Sequence, residues 1–133
     1  MRRMVIFTDG AAEPNPGPAA IGVTIKDEQG KVIATVSQSI GRATSNQAEY
    51  RAIIAALEYA IRLGANQVDM RSDSELVVRQ INRRYRVKAA SLKPLYQRVK
   101  QLRRSLGGFT ITHIPREQNA EADNLANKAL RIT

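Results

Sequence analysis

The stretch Met4-Val5-Ile6-Phe7-Thr8-Asp9-Gly10 decides the fold. Four consecutive apolar residues, Val5 and Ile6 β-branched among them, make a run too short for a helix, and it stops at an acid and a glycine. Such a run reads as a central strand buried on both faces, as in sheets covered by helices on each side. In open α/β sheets the ligand crevice lies at the carboxyl ends of strands, near a topological switch point, and Asp9 stands at such an end.

Working outward, residues 11–18 hold three prolines and a glycine and are predicted as a loop. Ile21, Val23 and Ile25 alternate with Gly22, Thr24 and Lys26 in a second strand. Asp27-Glu28-Gln29-Gly30 is a hairpin turn, and Val32, Ala34, Val36 and Ile40 mark a third strand, antiparallel to the second. Residues 41–45 read as a second loop. Residues 46–63 carry helical spacing, with Ile53, Leu57 and Ile61 on one face and Gly64 as the stop. A strand over 67–72, a short helix over 74–82 and a basic connector over 83–91 follow. A helix over 92–105 ends at Gly107-Gly108, a strand covers 109–114, and Pro115 breaks it. The last helix starts at Glu117 or Asn119 and runs to Arg131. The order βββαβααβα, with a right-handed crossover around the first long helix, predicts one α/β domain over residues 1–133. Its centre is a mixed five-stranded sheet flanked by helices.

Composition narrows the chemistry. The absence of cysteine excludes disulfides, thiolate nucleophiles and zinc–thiolate sites, and a reducing cytoplasm is the simplest home. No apolar run reaches the length of about 18 residues needed to cross a membrane. Met1-Arg2-Arg3-Met4 leads straight into a strand, too short for a signal peptide. The formal net charge is +9, and ten bases lie between Arg79 and Arg104 with no acid among them, while the remaining charges nearly cancel. One segment thus carries the excess, as expected for a polyanionic partner, although a solvated helix face would look similar.

Four acids stand at unusual places. Asp9 and Asp73 stand at the C-terminal ends of strands. Glu49 shares a helix stripe with Ile53, Ala56 and Ala60, and Asp123 shares one with Ala126 and Leu130. An acid on a core-facing stripe calls for something that neutralises it. Singly, each has an ordinary reading: Asp9 in a turn, Glu49 on a helix dipole, Asp73 as an N-cap, Asp123 paired with Lys128 or Arg116. Together they place four carboxylates on one rim. All-oxygen ligands favour Mg²⁺ or Mn²⁺ over zinc, and two such ions suit an in-line phosphoryl displacement.

Thr8-Asp9-Gly10-Ala11, Thr44-Ser45-Asn46-Gln47-Ala48-Glu49-Tyr50, Ser72-Asp73-Ser74 and Ala120-Glu121-Ala122-Asp123-Asn124-Leu125-Ala126 resemble, in order, the motifs of type 1 ribonuclease H. The resemblance implies strand order 3-2-1-4-5, catalytic and metal-holding Asp9, Glu49, Asp73 and Asp123, and two Mg²⁺ ions with Mn²⁺ as a substitute. It further implies cleavage of the RNA strand of an RNA–DNA hybrid to 5′-phosphate and 3′-hydroxyl ends, by a monomer. Asn15 matches a residue near the nucleic-acid backbone, Thr44 one that holds a DNA phosphate, and Ser45 and Asn46 ones that touch the RNA minor groove. These last three also suit a helix cap. There are two departures. A long basic protrusion with tryptophans is replaced by the brief connector carrying Arg83, Arg84, Arg86 and Lys88. Arg116 takes the place of a mobile loop histidine, while His113 lies inside a strand. Two other readings are a non-catalytic hybrid-binding module, which would be expected to have lost an acid, and a related nuclease acting on double-stranded RNA or a DNA junction. A dinucleotide-binding protein is disfavoured, since no G-x-G-x-x-G follows the first strand.

Overall fold

The computed structural model describes residues 2–132. Five strands, β1 (Arg3–Ala12), β2 (Gly17–Lys26), β3 (Val32–Ala43), β4 (Gln67–Ser72) and β5 (Gly108–His113), form one sheet in the order β3-β2-β1-β4-β5. β1 pairs antiparallel with β2 and parallel with β4, so the sheet changes sense at β1 as expected. Four helices complete the chain: α1 (Ser45–Arg62), α2 (Glu75–Ile81), α3 (Lys93–Arg103) and α4 (Ala120–Ile132), the last preceded by a 3-10 turn over Arg116–Gln118.

Side chains alternate across a strand, so each face of the sheet gathers its own layer. Met4, Ile6, Val23, Ile25, Val68 and Met70 pack with Tyr50, Ile53 and Leu57 of α1, and α3 closes that layer through Val99 and Leu102. Gly22 and Thr24 point the other way, yet are buried as well, because α4 lies across β1, β2 and β3 on that side. α1 ends where expected: Gly64 adopts φ +87°, a left-handed conformation that glycine takes at no steric cost.

Two loops are shorter than the sequence implies. β1 runs on to Ala12 and β2 starts at Gly17, pairing Ala11 with Ala20 and Ala12 with Ala19, so only residues 13–16 remain as loop. Likewise β3 continues through residues 41–43, leaving Thr44 as the cap of α1. The reason is the same in both places. Ala12, Ala19, Ala43 and Ala48 form a small cluster of their own beneath the start of α1, and alanine carries little strand propensity to reveal such a ladder locally. Among the described residues no helix is long and apolar enough to cross a membrane.

Candidate active site

Asp9 lies inside β1 and is buried. Its neighbour across the parallel pair is the end of β4: Thr8 is in register with Ser72, which sets Asp73 beside Asp9. Glu49 arrives from the first turns of α1 because Gly10 has no side chain. A Cβ at Gly10 would sit 2.2 Å from the Ala48 carbonyl carbon, and the Gly10 N–H donates to Glu49 Oε1 at 2.9 Å. Carboxylate oxygens of Asp9, Glu49 and Asp73 thus lie within 4.8 Å of one another.

Asp123 joins from the opposite layer by a parallel device. Gly22, the residue paired with Asp9 across the antiparallel ladder, leaves room for α4, since a Cβ there would come 2.0 Å from the Ala122 carbonyl oxygen. Asn119 ties the start of α4 to β1. It is buried, its Nδ2 donates to the Thr8 carbonyl at 2.9 Å, and its own carbonyl accepts the Asp123 N–H at 3.0 Å. One turn further on, Asn127 Nδ2 donates to Asp123 Oδ2 at 3.3 Å. Arg116 lies 3.9 Å from Asp123 Oδ1 with its side chain 79% exposed, so Asp123 meets Arg116 rather than Lys128. Asp73 does not cap α2, where Ser74 stands at the N-cap position.

These groups line a cleft of about 350 Å³ that also takes in Glu13 and Ser45. Burial, then the charges of Asp73 and Asp123, push the Asp9 carboxyl up to about 8 from an ordinary 3.8, with Arg116 opposing. Burial also pushes Glu49 well up, followed by the charges of Asp9 and Asp73, against the Gly10 hydrogen bond. Two buried acids, Asp9 and Glu49, held above the usual carboxylate range beside the partly buried Asp73 and Asp123 fit divalent cations, which would offset the repulsion and add to the positive charge of Arg116 there. Asp9, Glu49 and Asp73 could hold such an ion, and Asp123 could complete a second.

The other candidates divide into two groups. At the rim, Asn15 Oδ1 accepts the Ser45 N–H at 3.0 Å, and Thr44 closes a reciprocal capping box with Gln47. The Thr44 hydroxyl accepts a hydrogen bond there but still has its own proton to donate. Asn46 lies in the first turn of the same helix. The connector is separate: Arg83, Arg84 and Arg86 line a different cavity against α3, while Lys88 is exposed and lies outside its wall. His113 is the exposed last residue of β5.

A family profile described as "Reverse transcriptase-like" matches residues 7–129. Ribonuclease HI of Halobacterium salinarum is 41% identical over 128 residues, 96% of this chain and 64% of that protein. The crystal structure of RNase H1 from the same archaeon superposes with a TM-score of 0.96 at 40% identity, covering 98% of this chain and 99% of the other. The chain belongs to the type 1 ribonuclease H family. LC11-RNase H1, from compost and crystallised in complex with RNA/DNA hybrid, is a second such ribonuclease H, at TM-score 0.92, 42% identity and 97% coverage of each chain. The sheet order and helix placement of ribonuclease H are therefore those of this chain. The chain spans 64% of the length of its curated halobacterial relative.

Reading motifs alone misses three residues of this ribonuclease H site, namely Gly22, Asn119 and Asn127. Gly22 has a usable signal, since a glycine inside an alternating strand marks close backbone approach. Asn119 has none, because its partner is 111 residues away, whereas Asn127 stands one helical turn after Asp123, a spacing at which helical side chains meet.

Proposed function

We propose that this chain is an endonuclease that hydrolyses the RNA strand of RNA–DNA hybrids, leaving 5′-phosphate and 3′-hydroxyl ends. The observation that carries it is the convergence of Asp9, Glu49 and Asp73 within 4.8 Å in a cleft whose rim holds Ser45. The relative crystallised with RNA/DNA hybrid supports the substrate. Two Mg²⁺ ions, with Mn²⁺ as a substitute, would be held by Asp9, Glu49, Asp73 and Asp123. When bound, they supply charge stabilisation and an activated water for in-line displacement.

The chain's own residues position the substrate. Asn15 and the start of α1, with Thr44, Ser45 and Asn46, offer short polar groups and backbone amides. Such groups read a 2′-hydroxyl on one strand and hold a phosphate on the other. Arg42, Arg51 and Ser91 line a cavity of about 390 Å³ beside that helix start, with room for a phosphate. Arg83, Arg84, Arg86 and Lys88 extend the phosphate track of the DNA strand. Arg116 at the mouth of the cleft offsets charge developing at the scissile phosphate. The reading assigns the chain to the cytoplasm, where nucleic acid is available, and to a monomer.

Labelled RNA–DNA hybrid, RNA duplex and DNA duplex, each incubated with Mg²⁺ and with EDTA, test it. Cleavage of the RNA strand of the hybrid, with Mg²⁺ alone, is expected. Cutting confined to double-stranded RNA would point to the related nuclease instead, and tight binding of hybrid without any cutting to a binding module.

A further inference from the structure

Between the connector over 83–87 and α3 lies a second cavity, of about 450 Å³, separate from the acidic cleft. Its wall combines Arg83, Arg84, Arg86 and Lys93 with the rings of Tyr85 and Tyr96. None of these four bases has a carboxylate partner among the described residues. Tyr85 is 47% exposed, more than any other large hydrophobic side chain among the described residues.

The corner that presents this group is fixed in place. Arg83 takes φ +62°, a left-handed conformation uncommon for a side-chain-bearing residue. Three hydrogen bonds hold it there: Arg83 N–H to the Gln80 carbonyl, and the Arg84 and Tyr85 N–H groups to the Arg79 carbonyl at 2.7 and 3.2 Å. The adjacent Asn82 is anchored to the sheet through the Ile111 carbonyl. The Tyr85 ring is braced from one side. The Arg79 guanidinium sits 5.3 Å from its centroid and is itself held by Glu75 at 3.2 Å. Tyr85 remains about half exposed despite this contact and lines the cavity.

A duplex backbone needs only a track of positive charge. A concave site with a half-exposed ring and surrounding bases suits a different chemistry, in which an unstacked base lies on an aromatic face and its phosphate on arginine or lysine. From this geometry we infer that the cavity binds an unpaired nucleotide, with the base on Tyr85 and the phosphate on the surrounding arginines and lysine. α2 separates it from Asp73 by roughly 10 Å of helix. Given the hybrid-nuclease reading on which this rests, the natural source is a single-stranded extension flanking the duplex; a free nucleotide has the same chemistry.

The test is a binding titration that needs no cleavage. A short fluorescein-labelled oligodeoxythymidylate is titrated with wild type, Tyr85→Ala and Tyr85→Phe in EDTA, with melting curves as the folding control. Tyr85→Ala should bind about tenfold more weakly, which is the loss of one stacked base, and Tyr85→Phe should bind like wild type. The chain has no tryptophan, so its four tyrosines carry the emission, and quenching by dTMP, corrected for nucleotide absorption and compared with Tyr85→Ala, reads the free-nucleotide arm. Saturable quenching lost in Tyr85→Ala assigns the cavity to nucleotides in general, and quenching only by the oligonucleotide assigns it to strands. In the cleavage arm, Tyr85→Ala should raise KM for a hybrid with a single-stranded extension and leave a blunt hybrid within about twofold. Equal oligonucleotide binding by wild type and Tyr85→Ala overturns the inference, as does an equal KM change on both hybrids. If no hybrid is cleaved at all, the proposed activity fails while the titration still decides the cavity.

Discussion

Asp9 stands where every other acid of the site reaches it: Asp73 from the parallel neighbour, Glu49 from α1 and Asp123 from α4. Asp9→Asn, Glu49→Gln and Asp73→Asn should each abolish cleavage while the chain still folds, as shown by circular dichroism and a hybrid assay run side by side. Stability should hold or rise, since an amide relieves the repulsion. Asp123→Asn should cost less, because Asp123 lies outside the 4.8 Å group. Arg116 differs in kind. An exposed pair at 3.9 Å contributes at most about 1 kcal/mol. Arg116→Ala should therefore barely move the melting temperature while turnover falls, and Arg116→Lys should keep part of the activity. A lowered melting temperature with unchanged turnover would reduce Arg116 to a helix brace. The four acids stood out in the sequence because each breaks a local rule of burial or stands at the end of a strand. Asn119 was not, since a buried asparagine four residues before an acid looks like an ordinary helix start. Replacing it with alanine leaves the Thr8 carbonyl without its donor, at about 1–3 kcal/mol, and should lower kcat with KM unchanged.

At the scale of elements, the order of strands and helices was readable throughout, because apolar periodicity fixed it. The ends were less so: the alanine ladder of residues 11–12 and 19–20 carries no pattern until the two strands are set side by side. α4 shows what periodicity leaves open. Its apolar stripe announces that it packs, but only Gly22 says where. Gly22→Ala would force α4 away from β2, and overpacking of this sort costs about 1–3 kcal/mol. The expected signature is a lower melting temperature with a disproportionate loss of activity. The connector between α2 and α3 carries the other prediction. Neutralising Arg83, Arg84, Arg86 and Lys88 should raise KM much more than it lowers turnover. The slope of log affinity against log salt should shrink by up to about 0.9 for each phosphate that is no longer neutralised. An unchanged slope on blunt hybrid would remove these bases from the duplex track.

For the molecule as a whole, the buried acids link stability to pH. The Asp9 carboxyl titrates near 8 in the folded chain against an ordinary 3.8, so between those values the folded state holds a proton that the unfolded chain has released. That contribution is complete below about pH 4 and is lost as pH rises through about 8, and Glu49 acts in the same direction. In EDTA the melting temperature should fall from about pH 5 to about pH 9, Asp9→Asn should flatten the slope, and Mg²⁺ should restore stability at the alkaline end. The seat of α4 on Gly22 has a consequence of another kind. Asn119 and Thr8, which it brings together, are 111 residues apart. A ribosome delivers the N-terminal part first, so β1, α1 and β4 emerge with three carboxylates while the face that receives α4 is still bare. The cleft is finished only when the last helix docks. Until then the polypeptide carries three of the four acids without the wall that Asp123 adds to the cleft, a delay written into chain order.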